Sequence, residues 1–191
     1  MTEVRLGTTP SQTVGPYVAI GLDWPEGHAM VAEGTPGAVI LEGRMYDGAG
    51  NAIPDGMVEV WQPDPAGRFP HPADPRGASE YPGFRNLGRS LTDSEGRYWF
   101  RTLLPGALPI PGEDGEVEAP HFNLTVFARG LMKHLVTRVY LPGELANLKD
   151  PVFRTLDPAD RDALTAVPLG VDGLRFDIHL QGAHETPFFQ V

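Results

Sequence analysis

The feature that most limits how this chain can fold is its punctuation: 23 glycines and 20 prolines are spread over 191 residues. That is roughly twice their usual combined share. Proline fixes φ and removes a hydrogen-bond donor, and glycine weakens any helix interior, so long helices have little room. What lies between the breaks is a series of short apolar stretches. A chain of this kind favours many short strands joined by turns.

Those stretches alternate as strands do. Residues 38–46, 56–62, 97–103, 121–127 and 135–141 each read as a strand, and 90–92 lead into the turn at 93–96. Residues 47–51 and 63–67 are further turn clusters. Residues 70–88 read as a polar, proline-rich excursion, and 105–119 as a loop dense in proline, glycine and acid. Asp157 is placed to cap a short helix whose first residue is Pro158. In the last strand, Leu174, Phe176, Ile178 and Leu180 alternate with Arg175, Asp177, His179 and Gln181, which assigns a core face and an outer face. Residues 1–37 are irregular and predict an N-terminal arm with loops. The expected architecture is all-β: a single antiparallel β-sandwich domain over residues 1–191, with long loops and one or two short helices.

Charge narrows the function. Fifteen basic residues against 25 acidic ones give a formal charge of −10. A nucleic-acid partner needs a basic face, and an anionic membrane surface is equally disfavoured. With no cysteine there is no disulfide, thiolate nucleophile or zinc–cysteine site. The first residues hold no apolar leader, and no run approaches the roughly 18 apolar residues of a membrane span. A cytoplasmic location is the expectation. No phosphate-cradling or dinucleotide-binding glycine motif occurs. The acidic run at 113–118 reads as solvated surface.

Of the six histidines, only His121 opens a strand directly after a long loop. A His-x-His pair there would aim two imidazoles at one metal, but the second position is Asn123. On its own, His121 reads as a structural or interfacial histidine. Trp61 and Trp99 read as core or subunit-interface residues.

Several motifs, taken in order, resemble the intradiol ring-cleaving catechol dioxygenases. They include Asp47-Gly48-x-Gly50, Val58-Glu59-Val60-Trp61-Gln62-x-Asp64-x-x-Gly67-Arg68-Phe69 and Gly88-Arg89-x-Leu91-Thr92-Asp93-x-x-Gly96-x-Tyr98-x-Phe100. Phe127-Ala128-Arg129-Gly130 and the opening Thr9-Pro10-Ser11-Gln12-Thr13-x-Gly15-Pro16-Tyr17 extend the likeness over nearly the whole chain. The resemblance implies a β-sandwich holding one non-haem Fe(III) through two tyrosinates and two histidines. Carried onto this chain, those positions are Phe69, Leu108, His121 and Asn123, and three of the four have lost the ligating group.

That pattern of loss resembles the metal-free α-type subunits of the family's heteromeric, protocatechuate-cleaving members. It implies that Fe(III) is bound by a homologous β subunit and not by this chain, that the two pack into a large α/β oligomer, and that the substrate cavity lies at their junction. No catalytic residue is then expected on this chain. By the same resemblance, Gly15, Pro16 and Tyr17 line the cavity and Arg129 lies near the substrate carboxylate. A local cation is also physically apt, because a chain of charge −10 cannot gather an anionic substrate at long range. The implied reaction converts protocatechuate and O₂ to 3-carboxy-cis,cis-muconate. Two alternatives stand beside it: a non-catalytic transthyretin-like β-sandwich binding module, and a self-sufficient metalloenzyme with ligands among His134, His179 and Tyr140.

Overall fold

The computed structural model describes residues 12, 13, 15, 18–74, 76, 77, 79–110 and 115–190. After a one-turn helix, α1 (Val18–Gly21), come β1 (Ala38–Tyr46), β2 (Met57–Trp61), β3 (Leu87–Leu91) and β4 (Arg97–Leu103). The chain continues through β5 (Leu108–Pro109), β6 (Val117–Glu118), β7 (His121–Phe127) and β8 (Leu135–Tyr140). Two 3₁₀ turns (Leu145–Lys149 and Phe153–Thr155) precede α2 (Pro158–Ala163), and β9 (Val167–Leu169), β10 (Gly173–Arg175) and β11 (Ile178–His179) close the fold.

Two sheets face each other. One has β3, β2, β7 and β8 in that order, all antiparallel; the other is built on β1, with β4 on one side and β10 and β11 on the other. Alternation decides what lies between them. Leu41 and Met45 from β1, Phe100 from β4 and Phe122, Leu124 and Val126 from β7 are all buried, while the residues between them look outward. α2 forms where Asp157 accepts a hydrogen bond from the Asp160 amide at 2.9 Å and Pro158 takes the first helical position, as the sequence predicts.

The sandwich departs from the sequence reading in four places. The last strand is two pieces, and both run parallel to β1. Its core and outer faces are as expected, but Phe176 and Asp177 leave the ladder, and the Asp177 carboxylate accepts from the Arg44 amide at 3.0 Å in its place. Strand β3 begins at Leu87, inside the span read as an excursion, and the long loop after Pro105 contains the small β5–β6 hairpin. Before Ala38, residues 28–31 are not loose: the His28 carbonyl accepts from the Arg101 amide at 2.9 Å, and Met30 is wholly buried. Trp61 and Trp99, read as core or subunit-interface residues, lie outside the core, being 47% and 36% exposed.

At the break in the last strand the two backbones come very close. Gly43 lies where β1 passes Phe176, and a Cβ there would meet the Phe176 carbonyl oxygen at 1.8 Å, so only glycine fits. That same carbonyl accepts the buried Tyr98 hydroxyl. Removing the hydroxyl with Tyr98→Phe should cost about 1 kcal/mol. Gly43→Ala, which pushes backbone against backbone, should cost at least about 3 kcal/mol in urea denaturation.

Candidate functional site

The four ligand-like positions converge on the end of the β2–β7–β8 sheet. Asn123 sits opposite Trp61 on β2 and opposite Arg138 on β8, and His121 sits opposite Tyr140. Phe69, in the turn after β2, lies flat on Trp61 with ring centroids 5.2 Å apart and planes 7° from parallel. Leu108 pairs with Glu118 in the β5–β6 hairpin.

His121 belongs to the outward row of β7 yet is only 1% exposed. The reason is Asp150, a fully buried carboxylate in the segment after β8. It accepts from the Ala119 amide at 2.8 Å, the Val152 and Phe153 amides at 2.9 Å each, and the Tyr140 hydroxyl at 3.0 Å. These bonds fold the 3₁₀ turns and the loop before β7 over the sheet end. Tyr140 packs edge-on to Phe153, with centroids 4.8 Å apart. Burial pushes the Tyr140 phenol well above its ordinary pKa, against the pull of neighbouring Arg138.

His121 Nδ1 stands 2.7 Å from the Ala119 carbonyl. A carbonyl only accepts, so Nδ1 carries the hydrogen and Nε2 is an unprotonated acceptor. Nε2 is buried without a hydrogen-bond partner, and Glu118 Oε2 stands 3.8 Å away. Burial lowers the imidazole pKa, and the Arg138 cation lowers it further. Could these residues hold Fe(III)? A ferric ion is hard and needs anionic oxygen from several sides. Here Phe69 and Leu108 offer carbon, Asn123 an amide and His121 a single nitrogen beside a fixed positive charge. The donor set does not fit the ion. Among the described residues, no three His, Cys, Asp or Glu side chains form a metal-holding group.

The alternative ligands His134, His179 and Tyr140 are dispersed. His134 precedes β8 and packs on Phe127, Tyr140 ends β8, and His179 stacks on Tyr46.

A second locality holds Arg129 and, through Thr13, lies close in sequence to Gly15. Arg129 and Gly130 form the turn after β7, where Gly130 has φ 86° and its amide donates to Thr13 Oγ1 at 3.0 Å. The arm is thereby held against that turn, two residues before Gly15, which has φ 65° and suits only glycine without strain. Pro16 and Tyr17 lie outside the described residues. Arg129 is exposed and ion-paired with Asp55. Thr13 belongs to the arm motif of the sequence, but nothing in that motif assigns its hydroxyl a partner. Beside the turn is a cavity of about 960 Å³ with Gln12, Phe127, His134 and Phe188 in its wall. Among the described residues no helix is long and apolar enough to cross a membrane.

Comparison with known proteins places both localities in context. A family model described as Dioxygenase matches residues 15–182. The chain is 39% identical to the protocatechuate 3,4-dioxygenase alpha chain of Burkholderia cepacia, covering 97% of this chain and 98% of that one. It is 35% identical to the beta chain from the same organism, covering 78% and 66%. Among solved structures, the dioxygenase domain of a dioxygenase–carbohydrate-binding fusion from Streptomyces sp. SirexAA-E aligns with TM-score 0.61 and 28% identity, over 93% of this chain and 100% of that one.

The buried imidazole makes stability depend on pH. Its folded pKa lies below the ordinary 6.5, so on acidification the unfolded chain takes up the proton first. Stability should hold above about pH 6.5 and fall as pH drops towards the folded value. Urea midpoints measured against pH should show a shallower acid-side slope in His121→Gln than in the parent protein.

Proposed function

The chain belongs to the intradiol dioxygenase family, and from that premise we propose that it is the metal-free α subunit of a heteromeric enzyme that cleaves protocatechuate with O₂ to 3-carboxy-cis,cis-muconate. The observation that carries this reading is the end-to-end match to an alpha chain, joined to four ligand-like positions whose side chains do not suit a ferric ion. The iron belongs to a homologous β subunit, and the relatedness of this chain to a beta chain supports a pseudo-symmetric pair within a larger oligomer. The competing idea of a non-catalytic binding module gives way to the family match.

This chain's part in the reaction is to shape and charge the cavity. Gly15, Pro16 and Tyr17 bring side-chain-poor backbone and one aromatic ring towards the substrate, and residues 1–37 contribute to the subunit interface. The Thr13–Gly130 hydrogen bond ties that arm to the turn bearing Arg129. The Arg129 guanidinium pairs with the substrate carboxylate and shares its charge with Asp55. A charge-assisted hydrogen bond of this kind is worth about 1.5–3 kcal/mol, or roughly one to two decades of preference for a carboxylated catechol. Binding and orientation are the work of this chain; the bond-breaking chemistry takes place at the partner's metal.

In the complex with its β subunit, Arg129→Gln should raise KM for protocatechuate about 10- to 100-fold with a smaller change in kcat. Asp55→Asn, which frees the guanidinium, should leave KM unchanged or lower it. The lone chain, supplied with iron, should show neither tyrosinate-to-iron absorption nor turnover. Iron-dependent turnover without the partner would refute the assignment.

A further inference from the structure

Across the β7–β8 ladder His121 faces Tyr140 and Asn123 faces Arg138, so all four side chains project from one face of the sheet. Glu118, at the end of the hairpin, joins them. Its Oε1 accepts from Arg138 Nη2 at 3.1 Å, and its Oε2 lies 3.8 Å from His121 Nε2. Imidazole and guanidinium thus meet on opposite oxygens of a single carboxylate. Arg138 Nη1 and His121 Nε2 are both buried without hydrogen-bond partners. One is a donor and the other an acceptor.

The arrangement matters because a guanidinium cannot discharge. A buried lysine or histidine can lose its proton to admit another cation, whereas arginine stays charged at any physiological pH. Glu118, the anionic oxygen nearest His121, is already committed to neutralising it. A metal ion at Nε2 would therefore meet a spent carboxylate and a permanent positive charge. The depressed basicity of His121, to which Arg138 contributes, reports the same field acting on a proton.

We propose that Arg138 is the resident cation of this pocket: paired with Glu118 and set beside Nε2 of His121, its guanidinium takes the electrostatic place of a metal ion and keeps metals out. This goes beyond the loss of ligands. If missing donors were all that kept a metal from this pocket, restoring one would open it. Asn123→His places a second imidazole two positions along the strand and on the same face as His121. With Glu118 that makes two imidazoles and a carboxylate, a set that holds divalent first-row metals. With Arg138 present, it should still fail.

The proposal concerns this chain alone and stands or falls independently of the partner and the substrate. Its test is Co(II) titration of the full-length chain, read by visible absorption, with near-UV circular dichroism confirming the fold of each variant. Asn123→His combined with Arg138→Gln should bind Co(II) at least about tenfold more tightly than Asn123→His alone, the scale on which one close charge moves such equilibria. Equal affinity in this comparison would overturn the proposal. A second measurement needs no variant. In long-range ¹H–¹⁵N spectra of the parent chain, His121 should appear as the Nδ1-protonated tautomer and stay sharp in millimolar Co(II); paramagnetic broadening of that ring would equally defeat the idea.

Discussion

One buried carboxylate organises the end of the sandwich that carries the ligand-like positions. Asp150 would be costly to bury alone, and it is tolerated because three backbone amides and the Tyr140 hydroxyl converge on it. Those four donors come from the loop before β7, from the end of β8 and from the turn that follows Asp150 itself. Binding them to one group turns the outer row of a sheet into an interior. His121, Tyr140 and the Arg138–Glu118 pair are buried or half-buried because of that covering. A sheet face with polar residues in its outward positions would otherwise be open to water.

Much of this was legible in the sequence, and the reasons are physical. Strands β1, β4 and β7 were bounded correctly because apolar alternation and flanking turn residues agree there. The cap of α2 followed from Asp157-Pro158, a purely local signal. The neighbourhood of Phe69, Leu108, His121 and Asn123 came from a family resemblance and not from spacing, since those residues lie on different strands and turns. The break at Phe176 and Asp177 was hidden, because the alternation of residues 174–181 runs on unbroken through it and does not reveal the close approach that Gly43 permits on the neighbouring strand. The Glu118–Arg138 pair was hidden for a related reason: 20 residues separate its members, and only the strand register unites them.

The two localities differ in kind. At the ligand-like cluster most groups are held by their own chain, through an aromatic stack, a carboxylate with four donors and an arginine with its counter-ion. His121 Nε2 and Arg138 Nη1 are the buried atoms there that lack hydrogen-bond partners. Such a region is built to stay as it is. At the Arg129 turn the groups are exposed, held by one surface ion pair and one hydrogen bond to the arm. Exposed pairs of that sort contribute little to stability and exchange partners readily. An acidic chain that keeps a cation at such a place has it where an incoming carboxylate can compete for it.

The parallel pairing of β1 with β10 and β11 has a consequence for how the molecule comes into being. The Arg44 amide and the Asp177 carboxylate that spans the interruption are 133 residues apart, so the β1 edge stays unclosed until almost all of the polypeptide has been synthesised. Contacts of such long sequence separation form late and slowly. A nascent chain that stalls before Gly173 carries an open strand edge with unpaired amides and carbonyls, the kind of surface that templates aggregation. Arrival of residues 173–179, more than any local element, is what closes this sheet.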